Sequence, residues 1–221
     1  MKLLDWYNGL ILVGLLFSIP AFFLNIKYKR QHLIVFMILV LGSSLELYGT
    51  YTYLRKLNNV PVYNIFFVYL ETLLIYYLFY TIYQNKKVQK AIIIGSLLFL
   101  LQGLFINLSF ENLLVFQSIS FTIGSLGIIL CCIYYFYNII FSNILFKERL
   151  ILNPLFLIVT LIFFFYSTTF VHFSSFNLLH ELDSSFLNVF SILIRTMAVL
   201  MYLGMGLAFY LPFLTKNTPK A

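Results

Sequence analysis

Charge is scarce in this chain. Lys, Arg, Asp and Glu make up 10% of its 221 residues, while 62% are hydrophobic. A soluble domain carries about 25% charged and roughly 45–50% apolar residues. So few charges exclude disorder, which needs the opposite balance, and they are too few to clothe a fold in water. Cysteine is rarer still. Cys131 and Cys132 stand side by side in an apolar run, so no disulfide framework is expected and both read as small packing residues. Chemical signatures are missing as well. There is no Walker loop, no H-E-x-x-H pair and no G-x-S-x-G turn, which removes the common sequence marks of nucleotide, metalloprotease and hydrolase chemistry. The last apolar run holds no lysine, so a retinal Schiff base has no attachment point there.

What the chain has instead is apolar length. A helix that crosses a bilayer needs about 20 residues, and seven runs of that order occur, at 6–26, 33–53, 62–83, 88–108, 112–138, 154–171 and 186–211. Pro61 and Pro154 stand just before or at the start of two of them, where a missing N–H costs nothing. The remainder is too short for a separate soluble domain. The predicted fold class is an all-α integral membrane protein: a single bundle of about seven transmembrane helices in one domain, 1–214, with a short tail, 215–221. The first run resembles a signal peptide in length. It contains Pro20, lacks a small-residue cleavage site and is followed by Lys27, Lys29 and Arg30, so it is expected to be a retained helix.

The basic residues orient the bundle. Alternating runs send Lys27, Lys29, Arg30, Lys86, Lys87, Lys90, Lys147, Arg149, Lys216 and Lys220 to one face, and Lys2, Arg55 and Lys56 to the other. A bias of ten to three puts the first face in the cytoplasm by the positive-inside rule. The N-terminus is then outside and the C-terminus cytoplasmic, which requires an odd number of spans. The net charge of +7 is accounted for by this orientation, and no nucleic-acid partner is expected. The lipid bilayer is the first partner, and the expected location is the cell (inner or plasma) membrane, multi-pass.

Three ionisable residues fall deep inside runs, where charge is expensive and functional by default. At ~1.5 Å per residue, Glu46 lies ~10 Å below the outer end of its helix, and Glu71 and Arg195 each lie ~13 Å below theirs. Three separate segments thus place charge in one layer of the outer half. Two carboxylates and one guanidinium leave an excess negative charge, so one glutamate is expected to carry a proton. Tyr48, Tyr69, Gln102 and Gln117 add polar groups at similar depth. Asp5, Tyr7 and Asn8 do so near the outer end of the first helix, while the inner halves are greasier. Glu46, Glu71, Arg195, Tyr48, Tyr69, Gln102 and Gln117 together form the expected ligand-binding set. The competing reading is a buried ion cluster that fixes helix register. His32 lies a bilayer away from His172 and His180, so a three-histidine zinc site is excluded. His172, His180, Glu181 and Asp183 share an outer loop, read as a solvated acidic loop. No catalytic residue, metal or cofactor is expected.

The functional expectation is a receptor-like or sensory membrane protein with an outward-facing polar pocket. It would take a small anionic or zwitterionic ligand and signal through a membrane or cytoplasmic protein partner. The alternatives are an assembly subunit with a structural charge cluster, a small-solute transporter and an intramembrane lipid enzyme. Sparse polar groups in the inner half weigh against the transporter, and the lack of a nucleophile or metal set weighs against the enzyme.

Overall fold

The structure, a computed structural model, describes residues 5–109, 113–141, 150–174 and 184–214. Outside them fall Lys2, Asn112, Lys147, Arg149, the acidic loop with His180, Glu181 and Asp183, and the tail 215–221. The described residues form helices and no strand. In chain order they are α1 (Trp6–Ser18), α2 (Lys29–Leu54), α3 (Val60–Ile82), α4 (Lys86–Ser109), α5 (Ser118–Phe141), α6 (Pro154–Ser174), α7 (Ser184–Ala208) and a short α8 (Leu211–Leu214). Seven segments are long and apolar enough to cross a membrane.

Local chemistry sets the helix ends. Asp5 caps α1 by accepting the Asn8 N–H at 2.9 Å, and Asn85 does the same for Lys87 at the start of α4. Asn153 caps α6 through the Leu155 N–H at 3.0 Å, with Pro154 in its first position. α2 ends in a Schellman motif. Lys56 takes φ 56°, and the Leu57 N–H reaches back to the Thr52 carbonyl at 3.0 Å. This turn brings Asn59 back over the end of α2, where its Nδ2 donates to Thr52 Oγ1 at 3.0 Å.

Three expectations about the helices change, each for a physical reason. The first helix does not run on to residue 26. Pro20 has no N–H, so α1 stops at Ser18 and the chain tightens into a 3₁₀ turn, Pro20–Phe23. Two nearby carbonyls find side-chain donors instead: Tyr210 Oη donates to Phe17 O at 2.7 Å, and His32 Nε2 meets Ser18 O at 3.0 Å. The fifth helix begins at Ser118 rather than 112, because residues before it are held in a loop by Asn64. α3 is not uniformly α-helical. Its stretch Asn64–Glu71 is wound as a π-helix, a wide form usually confined to one turn and frequent at functional sites.

The packing is a ring. α1 packs on α2, α2 on α3, α3 on α5, α5 on α6, α6 on α7, and α7 returns to α1; α4 lies outside, against α3 and α5. Phe79, Phe121, Ile38, Leu39, Tyr166 and Met201 fill the core, while Leu97, Leu101, Leu104 and Leu108 of α4 face outward. Alternation gathers Lys27, Lys29, Arg30, Lys86, Lys87 and Lys90 at one end, here called the basic end. Ser18 and His32 are the buried polar residues towards that end among those described; Asn8, Thr52, Asn64, Gln117, Ser120 and Thr169 are towards the other.

The ring closes where α1 and α7 touch backbone to backbone. A Cβ on Gly14 would sit 2.7 Å from Tyr202 O and 2.9 Å from Leu203 Cα, and one on Gly206 would run into the Gly14 carbonyl. Overpacking of this kind costs about 1–3 kcal/mol. Gly14→Val and Gly206→Val are therefore expected to lower the thermal unfolding midpoint in detergent, whereas Gly9→Ala, whose Cβ meets nothing within 4 Å, is expected to leave it unchanged or raise it slightly.

Candidate functional site

The expected site residues separate into three polar clusters. The first is a cleft at the end opposite the basic one. Capping by Asp5 starts α1 so that Tyr7 and Asn8 face α2. Tyr7 Oη donates to Glu46 Oε1 at 2.9 Å, and Asn8 Nδ2 donates to Thr50 Oγ1 at 2.7 Å. Thr50 Oγ1 in turn donates to the Glu46 carbonyl at 3.0 Å. Glu46, Gly49, Thr50 and Tyr53 fall at i, i+3, i+4 and i+7, one face of α2. Gly49 is needed there because a Cβ would collide with the Tyr63 hydroxyl, which crosses from α3 to donate to Leu45 O at 3.1 Å. From α7, the Arg195 guanidinium lies 5.9 Å from the Tyr7 ring centroid, within cation–π range, and lines the same cleft as Glu46.

These groups line a cleft of about 410 Å³, together with Asp5 and Asn59. Glu46 is half-buried and Arg195 is exposed, so the cleft is open. Two carboxylates and one guanidinium, with phenol, amide and hydroxyl groups between them, suit a small molecule carrying both signs of charge. No nucleophile activated by a base lines the cleft among the described residues.

Glu71 does not reach this cleft. It is fully buried between α3, α6 and α7. Its Oε1 accepts from Tyr202 Oη at 2.8 Å and from Tyr166 Oη at 3.5 Å, while its Oε2 has no partner. Tyr202 lies seven residues beyond Arg195, about two turns or ~10 Å nearer the basic end, and its ring packs against Gly42. Glu46 and Glu71 occupy successive layers, one wet and one dry.

Tyr69, Gln102 and Gln117 form the third cluster. Tyr69 Oη bonds to Gln117 Oε1 and to Ser120 Oγ, Gln102 Nε2 donates to Ser120 Oγ at 3.3 Å, and Gln117 Nε2 donates to Asn107 Oδ1 at 3.3 Å. The Gln117 N–H is held by Asn64, whose amide also donates to Leu113 O and Val115 O at 2.9 and 2.8 Å. This network ties α3, α4 and the loop before α5 together. Tyr48 joins none of the three. Two residues from Glu46, it points away from the cleft and is 38% exposed. The cleft residues outside the expected set are Asp5, Tyr7, Asn8, Gly49, Thr50, Tyr53, Asn59 and Tyr63. Those on α2 could have been found from the i, i+3, i+4, i+7 spacing after Glu46; Tyr63 and Asn59 carry no comparable signal.

Removing the Tyr202 hydroxyl leaves the Glu71 carboxyl with only its longer bond, to Tyr166. An unsatisfied buried acceptor costs about 1–3 kcal/mol. Tyr202→Phe and Glu71→Ala are expected to destabilise the protein by that order in thermal unfolding, and Glu71→Gln, which keeps an acceptor for both phenols, by less.

In comparisons with known proteins, the chain matches no family, no curated sequence and no solved structure.

Proposed function

We propose that this chain is an integral membrane protein of the cell membrane, with the Glu46 cleft facing outside and the basic end in the cytoplasm. In this reading it is a receptor-like component. It takes a small zwitterionic or anionic ligand in the cleft and passes its occupancy to a separate partner protein. The observation that carries the proposal is that Glu46 and Arg195 line one open polar cleft whose walls come from α1, α2, α3 and α7. A ligand bridging them would link α2 to α7, the two helices that flank α1 in the ring, and so act on the ring as a whole. The membrane part is supported by seven apolar helices, by the outward leucines of α4 and by the basic asymmetry.

Transport has less support. Beneath the cleft, among the described residues, the bundle is closed by the Tyr202–Glu71 bond and by the fully buried Ile11, Ile38, Leu39 and Met201. The competing reading, an assembly subunit whose charges are structural glue, draws its support from Glu71, which faces no cleft and ties α3 to α6 and α7.

Two measurements test the proposal. Alkaline phosphatase fused after Lys56 should be active and after Lys87 inactive; the reverse pattern would overturn the orientation. Thermal-shift screening of purified protein against amino acids and small organic phosphates should find a stabilising ligand. Arg195→Ala should weaken it about tenfold to a hundredfold, the loss of a charge-assisted hydrogen bond. A shift that persists unchanged in both Arg195→Ala and Glu46→Gln would sink the cleft as its site.

A further inference from the structure

The bundle has a second opening, at the basic end. Because α4 lies outside the ring, it leaves a groove of about 500 Å³ between itself, α3 and α5, within the ~300–1,000 Å³ usual for ligand sites. On α4 the groove follows one face, from Lys87 through Ala91 to Gly95. At 1.5 Å per residue that is a depth of ~12 Å, against about 15 Å for half of a bilayer's hydrocarbon core. The groove is hollow because small residues line it. A Cβ on Gly95 meets nothing within 4 Å, and Gly127 faces it from α5.

Its floor is Tyr76 and Tyr83 of α3. Their hydroxyls are committed to protein carbonyls, Tyr76 to Gly124 O at 3.1 Å and Tyr83 to Cys131 O at 2.6 Å. What they present to the groove is therefore ring carbon, and Ile92 and Leu130 supply aliphatic walls. The mouth is different. Lys87 lines it, Lys86 and Lys90 are close in sequence, and all three are exposed. The carboxylates among the described residues are Asp5, Glu46 and Glu71, and none lies at this end. An apolar slot about as deep as a leaflet, with a lysine at its rim and no carboxylate beside it among the described residues, has the polarity of a single lipid.

We propose that this groove binds an anionic phospholipid of the leaflet at the basic end. One acyl chain lies along α4 over the two tyrosine rings, and the phosphate meets Lys87. The inference rests on the reading of the chain as a membrane protein. The apolar walls select the chain, and the lysine selects a headgroup with net negative charge over a zwitterionic one.

The test is native mass spectrometry of the full chain, extracted from nanodiscs of equal phosphatidylglycerol and phosphatidylcholine. The expected result is about a fivefold excess of bound phosphatidylglycerol, the bias one lysine near the surface confers. Lys87→Ala should bring the ratio towards one. Gly95→Phe should empty the groove of both lipids, and Gly95→Leu serves if the larger ring disturbs folding. Equal retention by the wild type, or retention unchanged in Lys87→Ala and the Gly95 variants, would overturn the proposal. So would displacement by inorganic phosphate alone, or a stoichiometric protein chain in the lipid's place. Any of these, from protein still found in the membrane fraction, leaves the membrane reading standing; protein recovered only in the soluble fraction overturns both.

Discussion

Gly14 and Gly206 bring the backbones of α1 and α7 together with no side chain between them, and the closed ring depends on that approach. The two helices run in the same direction, so contact near the basic end of both also brings their other ends near. Tyr7 then meets Arg195, and Tyr202 comes to lie against Gly42 of α2. A separation of even one methyl group would propagate into both layers of charge. Association of helices in an apolar surrounding relies on such close packing, because burying apolar surface gains little there.

The two glutamates show how burial divides similar residues. Glu46 faces a cleft in which a phenol donates to it from α1 and a guanidinium from α7 lines the same space. Glu71 is sealed, and two core tyrosines are its donors among the described residues. A buried polar group demands partners wherever it sits, but the first arrangement leaves room for a ligand to serve as one and the second does not. Glu71 thus acts on α6 and α7 as a clamp, and Glu46 is the one available to a small molecule.

Much of this was legible in the sequence, and the limit of legibility has a geometric cause. The apolar runs gave seven helices because length and composition suffice for that. Counting residues from a helix end gave depth, so Glu46, Glu71 and Arg195 were expected in one layer. Depth says nothing about direction around the helix axis, where each residue turns by about 100°. Glu46 and Glu71 face different neighbours, one in the cleft and one sealed a layer beneath it, and Tyr48, two residues from Glu46, lies outside the cleft. The break at Pro20 was visible as a residue, but its repair by His32 and Tyr210 was not, since those donors arrive from remote segments. The wide winding of α3 left no mark in an apolar pattern that tolerates either form.

That winding has a consequence for how such a chain can change over generations. A π stretch accommodates more residues per turn than an α-helix, so the eight residues from Asn64 to Glu71 hold a register offset between the start of α3 and its remainder. Rewinding the same residues as α would turn Val60–Tyr63 relative to Glu71, whereas losing one codon there would let the helix rewind with both flanks near their present facing. The buried carboxyl and the Tyr63 hydroxyl that crosses to α2 are linked by a segment that absorbs a surplus residue. A one-residue change of length in this stretch is therefore heritable at little cost to the geometry between the wet layer and the dry one.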